Sequence, residues 1–189
     1  MKSFKYLLFL SILCSLVLFN ACSEDEGGAF QFRGSIVAYL FQEGNTGYVA
    51  GKVHGLIAAT EDQTTDDGAE WGCYGAVVKR EVGTAIGTGA QNTIDILADC
   101  SEDGIAAKIA SDYEVTVDGV TYNDWFLPSK DELNELYKNK EAIGGFAPGY
   151  YWSSSEIDSN DAWIQSFVIG LQKFNNDINA FSVRSVRTF

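Results

Sequence analysis

The stretch Trp125-Phe126-Leu127-Pro128-Ser129-Lys130-Asp131-Glu132-Leu133 carries the clearest structural signal in the chain. Ser129 to Glu132 has the spacing of a capping box. The serine hydroxyl and the glutamate carboxylate each satisfy a backbone N–H that a first helical turn leaves without a partner. Leu133, Leu136 and Tyr137 then fall on one helical face, and Gly144-Gly145 stops the helix. Upstream, helical spacing begins near Asn92 with Ile94, Leu97 and Ala98. Ser101, Glu102 and Asp103 are placed to cap a second short helix, whose buried face is Ile105, Ala106 and Ile109. Downstream, residues 150–155, 162–169 and 181–189 read as strands separated by turns rich in Asn, Asp and Gly. Helices followed by antiparallel strands make an α+β order, with two or three short helices and an antiparallel sheet, rather than βαβ alternation.

Residues 34–41 form a β-rich run and Gly44-Asn45-Thr46-Gly47 a turn. Residues 48–59 read as a second strand region interrupted by Gly51 and Gly55. Residues 61–68 are polar loop, Trp71-Gly72-Cys73-Tyr74-Gly75 is compact and aromatic, and residues 83–89 are a glycine-spaced loop. No long linker, low-complexity stretch or internal repeat follows Gly28.

A length of 189 residues suits one domain with an additional segment. Lys and Arg number 13 against 26 Asp and Glu, a formal charge of −13. Such a field repels phosphates, so no nucleic-acid partner is expected. A single histidine disfavours multi-histidine zinc sites, and two prolines with 13% aromatics argue against disorder.

The N-terminus reads as an address. Lys2 and Lys5 precede an apolar run over 6–19, which closes on Asn20-Ala21-Cys22, the pattern of a secretory signal. The run is short for a membrane-spanning helix, which needs ~20 apolar residues. Cys22 after a small residue resembles a lipobox, in which Cys22 is lipidated and becomes the mature N-terminus. Cleavage at Ala21 by an ordinary signal peptidase is the alternative. The organisation expected is 1–21 signal peptide, 22–33 acidic and glycine tether, and 34–189 folded domain. With Cys14 removed and Cys22 lipidated, Cys73 and Cys100 remain. Outside the cytoplasm two such cysteines suggest a disulfide, with two separate buried thiols as the alternative.

Several ordered motifs carry a resemblance. The opening stretch is followed by Tyr151-Trp152-Ser153-Ser154-Ser155-Glu156, then by Ala162-Trp163 ahead of Phe167 and Gly170. The chain closes on Val183-Arg184-Ser185-Val186-Arg187-Thr188-Phe189. His54-Gly55-Leu56-Ile57-Ala58-Ala59 and Glu70-Trp71-Gly72-Cys73-Tyr74-Gly75 match the same course. Over roughly 34–189 the chain resembles a bacterial domain family of mostly unknown function, typified by the C-terminal domain of a collagen-like adhesin. Ser23-Glu24-Asp25-Glu26 resembles the surface-export signal of lipoproteins in the Bacteroidetes group. The resemblance implies a C-type-lectin-like fold on a lipid-anchored, surface-exposed outer-membrane protein.

Trp125, Leu127, Trp152, Trp163 and Phe167 are read as core, because aromatic burial dominates the stability of a small α+β domain. Ser153, Ser154 and Ser155 either present hydroxyls to a sugar or bond to backbone. Arg184 and Arg187, three apart in an expected strand, should face opposite ways, at least one pairing with a buried carboxylate such as Glu132 or Glu156. Asp158, Asn160, Asp161 and Asp177 are calcium candidates, with Asn175 and Asn176 in the same two loops, because calcium takes carboxylate and amide oxygens. The same residues are ordinary turn formers, and turn chemistry is the favoured reading, with no cofactor expected. Neither a Glu-Pro-Asn nor a Trp-Asn-Asp triplet is present.

Catalysis is not expected. His54 is the lone imidazole and no G-x-S-x-G elbow is visible. Carboxylate pairs leave a glycan-active enzyme as the least favoured alternative. The expected role is adhesion or carbohydrate binding to a glycan or surface protein, with the membrane reached only through the N-terminal lipid. A structural or accessory subunit of a surface or pilus assembly is the runner-up. Tyr150 and Trp163 would supply stacking surface, and Asn175, Asn176 and Asn179 amide hydrogen bonds. Lys79-Arg80 and Lys138 with Lys140 are the only close cation groups, so a neutral glycan or a protein is expected over a sulfated polymer.

Overall fold

The computed structural model describes residues 22–24, 30–32, 35–65, 67–75 and 83–189. It is a mixed α+β fold with three antiparallel sheets. The first sheet holds β1 (Cys22–Glu24), β2 (Phe30–Phe32), β3 (Ser35–Leu40), β4 (Gly55–Ala58) and, at its far edge, β10 (Val186–Thr188). Between β4 and the second sheet come α1 (Gly89–Asp99) and α2 (Ala106–Asp112). The second sheet is the hairpin β5 (Val115–Val117) and β6 (Val120–Tyr122). After α3 (Lys130–Lys138) and α4 (Lys140–Ile143), the third sheet runs β7 (Tyr150–Asp158), β8 (Asp161–Ser166) and β9 (Gln172–Asn176).

The capping box forms as its spacing predicts. The Ser129 N–H donates to Glu132 Oε2 at 2.7 Å and the Glu132 N–H to Ser129 Oγ at 3.4 Å. Glu132 is fully buried because it holds a second element too: its Oε1 accepts the Gly87 N–H at 2.8 Å. Burial pushes its carboxyl up, against the backbone N–H groups that favour the charged form. Loop 83–89 is thereby fastened to the start of α3, and Ser129 Oγ–H donates to Ala85 O at 2.9 Å.

Four helices are present among the described residues, one more than expected; the extra one is the single turn α4 before Gly144. On α1, Ile96 is buried while Ile94 stays 59% exposed, so the hydrophobic spacing marked the helix but not its inner face. Ser101, Glu102 and Asp103 do not cap α2. Its N-cap is buried Ile105, without a side-chain cap, after Gly104 at φ 81°.

Most strands are shorter than the pattern predicts, whereas β7 runs three residues further, to Asp158. Region 48–59 yields only β4, and Gly51 takes φ 77° in a preceding turn. The expected strand at 162–169 ends at Ser166, where 167–171 turns the chain; a Cβ at Gly170 would lie 2.5 Å from the Tyr137 ring. Residues 181–189 are extended, yet only β10 is a strand. Their bonds alternate between partners: Val183 O and Ser185 O accept from Gln63 and Ala59, whereas Ser182 O accepts from Trp152. This terminal segment therefore stitches β4 and β7 together instead of continuing one ladder. Within the stretch expected to be a tether, Cys22–Glu24 pairs antiparallel with Phe30–Phe32.

Two core clusters flank the third sheet. One gathers Trp71, Ile96, Ala106, Leu127, Trp152 and Ile164; the other Leu56, Phe126, Leu133, Leu136, Tyr151 and Phe167. The buried indoles are satisfied: Trp71 Nε1 donates to Ser153 O at 2.7 Å and Trp152 Nε1 to Ala69 O at 2.8 Å. Cys73 and Cys100 form a disulfide across 27 residues, tying the Trp71 segment to the end of α1. No helix of the described residues is long and apolar enough to cross a membrane.

Candidate functional site

The sequence-predicted ligand-binding residues all lie on or beside the third sheet, but not on one face. Trp163 lies directly opposite Phe174, whereas Tyr150 lies opposite Ser166. Side chains alternate along a strand, so Trp163, Gln165, Phe174 and Asn176 share one face and Tyr150, Ile164, Lys173 and Asn175 the other. A single stacking surface built from Tyr150 and Trp163 does not exist. Tyr150 packs on Phe181, with ring centroids 5.7 Å apart, and carries Lys173 Nζ 4.6 Å from its ring.

Trp163 is a correction to the expected core. Trp125, Leu127, Trp152 and Phe167 are buried, but Trp163 is only half-buried. It faces outward because its neighbours Ala162 and Ile164 already occupy the inner face. Lys130 Nζ lies 4.3 Å from the ring centroid, and Phe174 meets the ring edge-on at 6.4 Å while 56% exposed. Gln165, buried on the same face, donates to Asn134 Oδ1 at 2.9 Å, and Gln172 to Lys130 O at 2.9 Å. These bonds seat α3 along one side and leave Trp163 and Phe174 as an open aromatic pair. Phe174 was missed in the sequence because β9 is otherwise polar; its position opposite a tryptophan needs the strand register.

The three asparagines are largely committed to a turn. Asn175 Oδ1 accepts the Asn176 N–H and Asn179 Nδ2–H, each at 2.8 Å. Asn176 Oδ1 accepts the Ile178 N–H at 3.3 Å. Of the calcium candidates, Asp158 Oδ1 accepts the Asn160 N–H at 2.9 Å, and Asn160 O accepts the Asp177 N–H at 2.8 Å. Asp158 and Asp161 are paired across the β7–β8 turn. Asp177 is 1% exposed, and its Oδ1 has no hydrogen-bond partner among the described residues. Burial, then the charges of Glu156, Asp161 and Asp158, raise its carboxyl to about 7. Among the described residues the group close enough to share an ion is Cys73, Cys100 and Glu102, within 4.8 Å, and its two sulfurs are bonded to each other.

The serines bond inward. Ser153 Oγ–H donates to Trp163 O at 2.9 Å and Ser155 Oγ–H to Gly83 O at 2.8 Å. Ser154 Oγ accepts from Asn92 Nδ2 at 3.1 Å, and all three residues are fully buried. His54 Nε2 accepts the Val49 N–H at 3.1 Å, while its ring meets Phe41 edge-on at 5.3 Å.

Arg184 and Arg187 are both buried, and neither pairs with Glu132 or Glu156 as expected. Arg184 pairs with Asp62 at 2.7 Å and Arg187 with Asp124 at 2.6 Å. The Arg187 hydrogen bond holds the Asp124 carboxyl below its usual range. Glu132 is already taken by the capping box, which removes it as a partner. Lys79-Arg80 lies outside the described residues.

No protein-family model matches the chain, and no curated protein matches it.

Proposed function

We propose that this is a lipid-anchored surface protein of the outer membrane whose single C-type-lectin-like domain acts by binding rather than catalysis. The ligand is a glycan or a surface protein. The observation that carries the reading is the open Trp163–Phe174 pair, with a lysine beside it and polar Gln172 and Asn176 along the same face. An aromatic surface bordered by hydrogen-bonding side chains suits the apolar face and hydroxyls of a sugar ring. Lys130 already covers part of the Trp163 ring, so a ligand stacks on what remains and on Phe174. The order of elements, with a terminal segment returning between β4 and β7, supports the fold assignment.

A second reading, an accessory subunit of a surface assembly, is favoured by the apolar tip of the β8–β9 connection. Val168, Ile169 and Leu171 are 59%, 67% and 50% exposed there. A contiguous exposed apolar patch of this kind suits a protein contact.

A glycan array probed with the soluble chain lacking residues 1–21 tests the first reading. Retention of neutral oligosaccharides that Trp163→Ala with Phe174→Ala abolishes supports it. Absence of any glycan, together with assembly only alongside a protein partner, replaces it with the second. Lipid anchoring is tested separately: Cys22→Ala expressed in a bacterial host should leave the detergent phase, and unchanged partitioning would refute the anchor.

A further inference from the structure

The loop between α4 and β7 forms one wall of a cavity of about 420 Å³, which Lys140, Glu141, Phe167 and Val168 also line. The loop is clamped from the core side. Arg184 donates through Nη1 to Gly144 O at 3.3 Å and through Nη2 to Gly145 O, and Asp62 Oδ2 accepts the Ala147 N–H at 3.2 Å. Gly144 and Gly145 take φ 73° and 70°, which lets two successive carbonyls reach one guanidinium. A trans peptide sets its N–H opposite its carbonyl, and no cis bond occurs among the described residues. With both carbonyls turned to buried Arg184, the N–H groups of Gly145 and Phe146 point away from it. Neither donates to a protein group among the described residues.

Lys140 stands at the same cavity. Its ammonium donates to Phe167 O at 2.6 Å and lies 4.9 Å from the Tyr137 ring centroid. An ammonium has three donors, so further N–H bonds remain available, and Lys140 is in no ion pair among the described residues. Two successive unpaired N–H groups on a wall that also carries a cation have the chemistry of an anion site. Beside them Phe146, packed 4.5 Å from Phe167 and 4.0 Å over Arg184, supplies an apolar wall.

We propose that this cavity binds the carboxylate of a sugar acid, a uronate being the simplest case. The carboxylate takes the Gly145 and Phe146 N–H groups and the Lys140 ammonium, and the ring's C–H face lies against the Phe146 and Val168 side. The size falls within the range of small-molecule sites. One ammonium and two amides match one carboxylate, not a polyanion, so the site is compatible with the chain's overall negative charge. Glu141 on the lining opposes the ligand and limits affinity. The cavity shares no residue with the Trp163–Phe174 pair, so it stands or falls independently of the reading above.

The test is a titration of ¹⁵N-labelled mature chain with glucuronate, glucose and a short peptide bearing a free C-terminus. Glucuronate should give saturable shifts at the Gly145 and Phe146 amides, and glucose none at equal concentration. Lys140→Gln should weaken glucuronate about tenfold, and Glu141→Gln, an exposed change with little effect on folding, should tighten it about twofold. Silent amides, equal response to glucose, or either variant leaving affinity unchanged would overturn the proposal. Tighter binding of the peptide than of glucuronate would overturn the sugar assignment.

Discussion

Arg184 Nε donates to Asp62 Oδ1 at 2.7 Å across 122 positions of sequence, and the guanidinium is 0% exposed. The same guanidinium holds Ala59 O, Gly144 O and Gly145 O, while Asp62 Oδ2 accepts the Tyr151 O–H at 2.6 Å. Burial and then Asp62 push the Tyr151 hydroxyl well up, so it stays protonated as the donor. β4, α4, β7 and the terminal segment thus meet at one ion pair. Removing one partner of a buried pair leaves the other charge uncompensated, which costs about 3–5 kcal/mol. Arg184→Met should lower stability by that amount, read from the urea midpoint with an unchanged slope. A loss near that of a surface substitution would contradict a central role for the pair.

Asp177 should make stability fall as pH rises. In the folded chain its carboxyl keeps its proton up to about pH 7, against 3.8 for an ordinary aspartate. Between those values the folded state binds the extra proton, so this group's contribution is full below about pH 4 and is lost as pH passes 7. Wild type should lose about 2–4 kcal/mol relative to Asp177→Asn between pH 4 and pH 8, measured by denaturant unfolding. Parallel pH profiles for the two proteins would refute it.

The Cys73–Cys100 bridge should be complete in secreted protein. Alkylation under denaturing conditions should label neither cysteine unless a reductant is added first. The double Cys→Ser variant should lose about 3–4 kcal/mol on the chain-entropy account. Two labelled cysteines without reductant would exclude the bridge.

Heparin and sulfated fucans should bind weakly and with little salt sensitivity. Among the described cations, Arg184, Arg187, Lys108 and Lys138 each have a carboxylate partner, and Lys130 and Lys173 lie over aromatic rings. Affinity for sulfated polymers should stay below that for neutral oligosaccharides at both low and physiological salt, where screening acts beyond ~8 Å. Tight, salt-sensitive heparin binding would show that a local basic patch outweighs the net charge.

What sequence reading could reach was set by the range of the interactions. The Ser129–Glu132 box spans three positions, and the first six residues of β7 are a continuous aromatic and hydroxyl run, so both were legible from neighbours alone. Counting cysteines favoured a Cys73–Cys100 bridge over two separate thiols, and the bridge is formed. Asp118-Gly119, at φ 51° and 77°, is the local turn signal of the β5–β6 hairpin. Other features depended on contacts between distant segments. Arg184 had many acids to choose from, and only the fold brings Asp62 to it while the capping box removes Glu132. Residue type alone places Trp163 in the core, but the strand register decides that Ala162 and Ile164 point inward and Trp163 outward, away from Tyr150. β9 is hidden in the sequence because Asn175 and Asn176 are turn residues by local preference and Gln172 and Lys173 show no apolar alternation, all overridden here by pairing along β8. The amino-acid sequence alone determined the α3 cap and the places of the main helices and of β7, since these depend on neighbours within a few positions. Which side chains meet, which stay exposed and which backbone N–H groups are left open was decided only when tertiary packing closed contacts between segments from about ten to more than a hundred residues apart.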